Sequence, residues 1–228
     1  MINLNGFIIL LSCIFVIGKC EDLCSLSFCS CDGEDSVECD GGDSEDFLLS
    51  ASSLPSSVYS LTISNFNNVV IKINTFAEQE LLGVLKFKNI TKLKLGKFIF
   101  STEEYDGFLE VFEIENIQNL EMEESSFDNA PQCNQAKLQS VTIKTVPSGG
   151  IKLHADTMKI EDCKIGELNK ESIYSDSMNF IFLSNTVGYV KTHGFSGSNS
   201  VFNFSNNYIE KMESNAISVA FLTGDISG

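Results

Sequence analysis

Along the second half of the chain, apolar residues return every 22 positions. Units starting at Met158, Phe180 and Phe202 are apolar at the same five offsets. The first holds Met158, Ile160, Ile165, Leu168 and Ile173, the second Phe180, Phe182, Val187, Val190 and Phe195, the third Phe202, Phe204, Ile209, Met212 and Ile217. All these places conform in a chain that is only 43% apolar, so the recurrence is an internal repeat and not an accident of composition. A unit this long is one turn of a solenoid, unable to bury its apolar side until another turn stacks on it.

From Leu61 to Phe127 the same design continues in longer turns. Leu61, Ile63, Phe66, Val69, Ile71 and Phe76 recur 24 residues later as Leu85, Phe87, Ile90, Leu93, Leu95 and Phe100. After 27 more they recur as Phe112, Ile114, Ile117, Leu120, Met122 and Phe127. An insertion from Asp128 to Gln135 follows, and then Ala136, Leu138, Ile143, Val146 and Ile151 lead into the shorter units. The charges support this register independently: stacking places Lys86 over Glu113, Lys88 over Glu115 and Lys94 over Glu121. Asn65, Asn89 and Asn116 share one place between strands, where stacked Asn side chains form a ladder or simply serve as turn residues. Pro55, Pro131 and Pro147 fall outside the repeated strands, as a ladder of backbone hydrogen bonds requires.

Ahead of the repeats, residues 24 to 39 read CSLSFCSCDGEDSVEC, followed by Leu54-Pro55 and the first alternating strand. Clustered cysteines there predict a disulfide-stapled lid for the open end of the stack. The cluster resembles the N-terminal cap of extracellular leucine-rich-repeat proteins. That resemblance implies pairing first-to-third and second-to-fourth, Cys24 with Cys31 and Cys29 with Cys39. Cys133 and Cys163 are then left for each other, and such a bridge, closing a loop of roughly 30 residues, would contribute about 3 kcal/mol on the chain-entropy model. The cap is strongly acidic, but DGEDSVECDGGDSED lacks the alternating oxygen order of a calcium loop.

The apolar run from Phe7 to Ile17 is too short to span a bilayer and suits a secretory signal, although no Lys or Arg precedes it. Removing residues 1–20 with Cys13 and Cys20 leaves six cysteines, an even number suited to an oxidising compartment. The expected organisation is a signal peptide at 1–20, an acidic cysteine-rich cap at 21–60 and a solenoid at 61–228, truncated at its C-terminal end. Secretion to the extracellular space follows from it. The net charge is −16, every base is Lys, and Arg and Trp are absent. Nucleic acid is repelled by such a surface, and no later run is apolar enough for a membrane span.

Leucine-rich repeats and parallel β-helices differ on the far side of each turn, which is helical or irregular in the first and a strand in the second. Here the far side alternates: Leu93, Leu95, Phe98 and Phe100, then Ile151 and Leu153, then Ile217, Val219 and Phe221. Phe and Ile fill inward places that Leu dominates in leucine-rich repeats. The expectation is an all-β, right-handed parallel β-helix of about seven turns of 22–27 residues under an N-terminal disulfide cap. The whole resembles the cap-plus-β-helix secreted proteins of arthropods, with a leucine-rich-repeat ectodomain, such as a receptor fragment, as the second reading.

β-Helices include polysaccharide lyases and hydrolases. Resemblance to pectate lyases would imply a catalytic Arg, which is lacking, and Asp156, Asp162 and Asp176 lie at unrelated offsets. His154 and His193 also differ in offset, so neither a catalytic, a metal nor a cofactor site is expected. A non-enzymatic extracellular binding or scaffold module is the expectation, its partner another extracellular protein or a second copy. Ile181 and Leu183, which alternation points outward between Phe180, Phe182 and the next corner, form the candidate contact, joined by Tyr189 on the next side. Two sequons, at Asn89 and Asn203, are candidate glycosylation sites; Asn203 projects outward, whereas Asn89 would have to leave its ladder.

Overall fold

A computed structural model of the protein describes residues 23–33, 35–42, 46–55, 57–100 and 107–227. The expected signal segment 1–20, with Cys13 and Cys20, and the last residue, Gly228, lie outside the described residues. Among those described, the strands join into one sheet of 16 wound as a parallel β-solenoid of about eight turns. No helix among them is long and apolar enough to cross a membrane.

A late turn shows the plan. β10 (Ile151–Glu161) and β11 (Lys164–Leu168) make three sides. The first side is 151–155 and the second 157–161, joined at a bend where the pairing to β12 (Ile173–Leu183) skips Asp156. β11 is the third side, and a short corner returns the chain to the next turn. β13 (Thr186–Val190), β14 (Phe195–Ser205), β15 (Tyr208–Met212) and β16 (Ile217–Ser227) repeat the plan. Every predicted offset is a pair in the ladder: Met158 with Phe180 and Phe202, Ile160 with Phe182 and Phe204, Ile165 with Val187 and Ile209, Leu168 with Val190 and Met212, Ile173 with Phe195 and Ile217. Strand alternation turns these residues inward, fully buried in the first two units and partly open in the third, where Met212 is 50% exposed; Phe180 stacks on Phe202 at 5.4 Å and Phe182 on Phe204 at 5.0 Å between ring centroids. Each such side chain contributes about 1.5–3 kcal/mol when fully buried, so this apolar spine carries the fold.

The earlier turns are β4 (Ser60–Ser64), β5 (Asn68–Ile71), β6 (Val84–Leu95), β7 (Phe108–Met122), β8 (Gln132–Gln139) and β9 (Thr142–Val146). Leu61, Leu85 and Phe112 fall in one column and Ile63, Phe87 and Ile114 in another, as the sequence register requires. The first side is where they depart from expectation. β6 ends at Leu95, and the stretch through Phe98 and Phe100 is a turn, not a strand. Phe98 adopts a left-handed φ of 46°, which breaks the alternation and sends Ile99 and Phe100 inward instead.

The parallel ladder also begins earlier than the repeats do. β2 (Ser36–Asp40) pairs with β4 and β3 (Asp46–Leu49) with β5, so the cysteine-rich segment itself lays down a turn. β1 (Cys29–Asp32) runs antiparallel to β2 and closes that end. Disulfides join Cys24 to Cys31 and Cys29 to Cys39, the latter linking directly paired residues of β1 and β2. Disulfides of this kind are typical of extracellular proteins.

The third expected bridge does not form: Cys133 and Cys163 are free and buried. Cys133 pairs with Ala155, whereas Cys163 lies past the whole second side of that turn. That side alone is about 13 Å long at ~3.3 Å per residue, while a disulfide needs Cα atoms within about 7 Å. Cys163 has a different task. Its N–H donates to Asn185 Oδ1 at 2.9 Å, and its thiol contacts the Glu161 carbonyl at 3.2 Å. It is the first rung of an interior ladder that continues through Asn185 and Asn207.

Candidate functional site

The second side presents two outward columns. One reads Lys86, Glu113, Lys137, Lys159, Ile181, Asn203 and the other Lys88, Glu115, Gln139, Glu161, Leu183, Ser205. Ile181 and Leu183 are their apolar members, projecting outward because Phe180 and Phe182 project inward. Both are half-buried. On one flank Lys159 Nζ meets Glu161 Oε2 at 2.7 Å, and on the other the Ser205 hydroxyl donates to Asn203 Oδ1 at 2.8 Å. Tyr189 stands on the next side of the coil. It lies on β13 beyond the corner at Ser184 and Asn185, with Lys211 Nζ 4.7 Å from its ring centroid.

Tyr189 instead belongs to a polar cluster on the third side. Its hydroxyl donates to Glu213, which also accepts from the Thr192 N–H and hydroxyl, each at 2.8 Å. These donors, the tyrosine hydroxyl foremost, hold the Glu213 carboxyl down to about 2.

The sequon residues occupy contrasting places. Asn203 sits directly beside Ile181 in the ladder, outward and half-buried. Asn89 is exposed, at a left-handed φ of 53°, and locked between neighbours. Its Nδ2 donates to Asn65 Oδ1, and its Oδ1 accepts from Asn116 Nδ2, both at 3.1 Å. Asn65 in turn donates to Asp40 Oδ2 at 3.0 Å. Asn65, Asn89 and Asn116 therefore do form the expected ladder.

The structure also builds a site that offsets alone do not reveal. At the bend between the first and second sides, the inward residues of successive turns are Cys133, Ala155, Ser177 and Asn199, spaced by 22. They are small or polar where the spine is otherwise large, and all are nearly fully buried. The wall is drawn in, leaving a groove of about 490 Å³ that runs across the turns. Asp156 and Asp176 both line it, with His154, Phe108, Met178 and Leu222. Different offsets converge here because Asp156 is the residue skipped at the bend, whereas Asp176 pairs with His154 one turn away. His154 Nδ1 is 3.7 Å from Asp176 Oδ2. The recurrence of small inward residues every 22 positions was the sequence signal for this groove. His193 lines a separate hollow with Lys152 and Tyr174, so the two histidines do not meet.

On the groove's inner wall, the Asn199 side-chain oxygen accepts from the Ser175 hydroxyl at 2.9 Å and the Ser177 N–H at 3.2 Å. Gly197 makes this approach possible. At φ 139°, a Cβ there would fall 1.8 Å from the Ser175 carbonyl oxygen.

Burial pushes both free thiols up to about 11, Cys133 at the groove and Cys163 at the interior ladder. Neither is an activated nucleophile, since the thiolate is the reactive form. Comparison with protein-family models, with curated proteins and with solved structures gives no match.

Proposed function

We propose that the chain is a secreted, non-enzymatic binding or scaffold module that makes protein contacts through the outer surface of its solenoid. The observation that carries this reading is the pair Ile181 and Leu183, apolar in columns that are Lys, Glu, Gln, Asn or Ser on the neighbouring turns. Outward apolar side chains on an otherwise charged side contribute little to the fold and supply a desolvating contact for a partner. The disulfide-closed first turn, resembling a leucine-rich-repeat cap, supports extracellular residence.

Asn203 refines the reading. A glycan there would stand one rung from Ile181, so modification and partner compete for the same surface. The partner is an extracellular protein or a second copy of the chain.

The test is Ile181→Lys with Leu183→Lys. Sedimentation velocity across a concentration series, with and without extracellular fluid proteins captured on wild-type chain, reads association. The double variant is expected to lose it with an unchanged far-ultraviolet spectrum. Retained association refutes the contact.

A carbohydrate-active enzyme is the second reading, favoured by one observation: Asp156 and Asp176 share a groove. A glycosidase pair needs one carboxyl held protonated by apolar enclosure, and Asp176 is 54% exposed. The binding module remains the better fit.

A further inference from the structure

We infer that the groove at the bend is a binding site for an extended, lysine- or arginine-bearing segment of a partner protein. It lies on a different part of the coil from Ile181 and Leu183 and does not rest on that contact.

Its chemistry selects the ligand. Asp156 and Asp176 put two carboxylates on the groove, and no Lys is among its lining residues. The whole chain carries a net charge of −16, which draws cationic partners towards it before any contact forms. The two acids lie on adjacent turns, and flanking them stand Phe108, Met178 and Leu222, which are 48%, 60% and 85% exposed. A ligand with adjacent cationic groups flanked by apolar ones matches that order.

Length argues for a peptide over a small cation. Phe108 on β7 and Leu222 on β16 are separated by five steps of the ladder, β7 to β8, β10, β12, β14 and β16. At ~4.8 Å per step the groove is about 24 Å long, which about seven extended residues at ~3.3 Å each would fill.

Fluorescence anisotropy with the labelled peptide Leu-Gly-Gly-Lys-Lys-Gly-Leu tests the site on the folded chain. Asp156→Asn with Asp176→Asn is expected to weaken binding by about tenfold or more. Ser200→Trp, which fills the groove at an exposed position without changing charge, is expected to weaken it as much. Glu210→Gln with Asp46→Asn removes equal charge elsewhere and is expected to leave affinity within about twofold. The site is overturned if wild type fails to bind, if the distant pair loses as much as the groove pair, or if Ser200→Trp binds like wild type. Equal binding of the peptide with Gln in place of Lys would also overturn it. Circular dichroism confirms that each variant is folded before its affinity is read.

Discussion

The turns before Val141 and those after it solve the same corner, between the second and third sides, in opposite ways. In the early turns the first corner residue is Asn65, Asn89 or Asn116, left-handed and facing out, while the next residue, Phe66, Ile90 or Ile117, is buried. In the late turns the left-handed residue is Asp162, Ser184 or Asn206, and the next is Cys163, Asn185 or Asn207, turned inward. The early corners spend polar hydrogen bonds at the surface and fill the interior with hydrocarbon. The late corners put the hydrogen bonds inside, so that side-chain amides satisfy backbone groups which the turn would otherwise strand. Ion pairs lace the outside of both regions, Lys88 with Glu113 and Glu115 and Lys92 with Glu121 in the early turns and Lys191 with Glu167 in the late ones, while the late turns add longer runs of stacked Phe rings.

The sharpest way to break this comparison is to delete one rung of each ladder. Asn185 is 1% exposed; it accepts from the Cys163 N–H, donates to the Ile160 carbonyl at 3.0 Å and donates to Asn207 Oδ1 at 3.1 Å. Asn185→Ala leaves buried groups without partners at about 1–3 kcal/mol each, so a total loss of about 3 kcal/mol or more is expected. Asn89→Gly removes two exposed bonds but keeps the left-handed corner available, and is expected to cost about 1 kcal/mol or less. Urea unfolding midpoints read both; equal losses would mean that the two ladders are energetically alike.

Next in size is the state of the two thiols. With Cys133 and Cys163 buried and their thiols raised to about 11, iodoacetamide at pH 8 is expected to leave both unmodified in the native protein. After unfolding without reductant both should react, as peptide mass spectrometry would show. A Cys133-to-Cys163 disulfide peptide would reinstate the bridge. Reductant is expected to destabilise only the capped end, where Cys24–Cys31 and Cys29–Cys39 lie.

What the sequence disclosed, and what it concealed, follows from period counting. Offsets such as Phe180 to Phe202 are set by the spine, where a one-residue slip would expose every large side chain, so the register was legible throughout. Cysteine parity was a poorer guide, because Cys163 sits at a corner place that accepts Asn or Cys equally well as a ladder residue. The groove's small inward residues recur visibly, but the convergence of its acids was concealed for a geometric reason: the skipped residue at each bend has no mark in the pattern, so Asp156 and Asp176 read as unrelated until the bend is located. Tyr189 was legible as standing on the side after Leu183, but its bond to Glu213 on the following turn has no mark in the apolar pattern.

The smallest effect concerns acid, and it again sets early turns against late. Burial alone would lift the Glu113 carboxyl, but the ammonium groups of Lys88 at 3.0 Å and Lys137 at 3.3 Å outweigh it and hold it below the ordinary 4.5. A carboxyl depressed by folding stabilises the fold above its unfolded value and loses that contribution as pH falls through the folded one. Glu113→Gln is therefore expected to cost about 0.5 kcal/mol near pH 7 and nothing once pH lies below both values. Glu213 on the late turns, held to about 2 by the Tyr189 hydroxyl and Thr192, should keep its charge after Glu113 has lost its own. Carboxyl carbon shifts followed by NMR from pH 6 to 2 separate the two residues directly. If Glu113 titrated at or above 4.5, the lysines flanking it would not be bound to it in solution, and the lacing of the early turns would be a feature of geometry without energetic consequence.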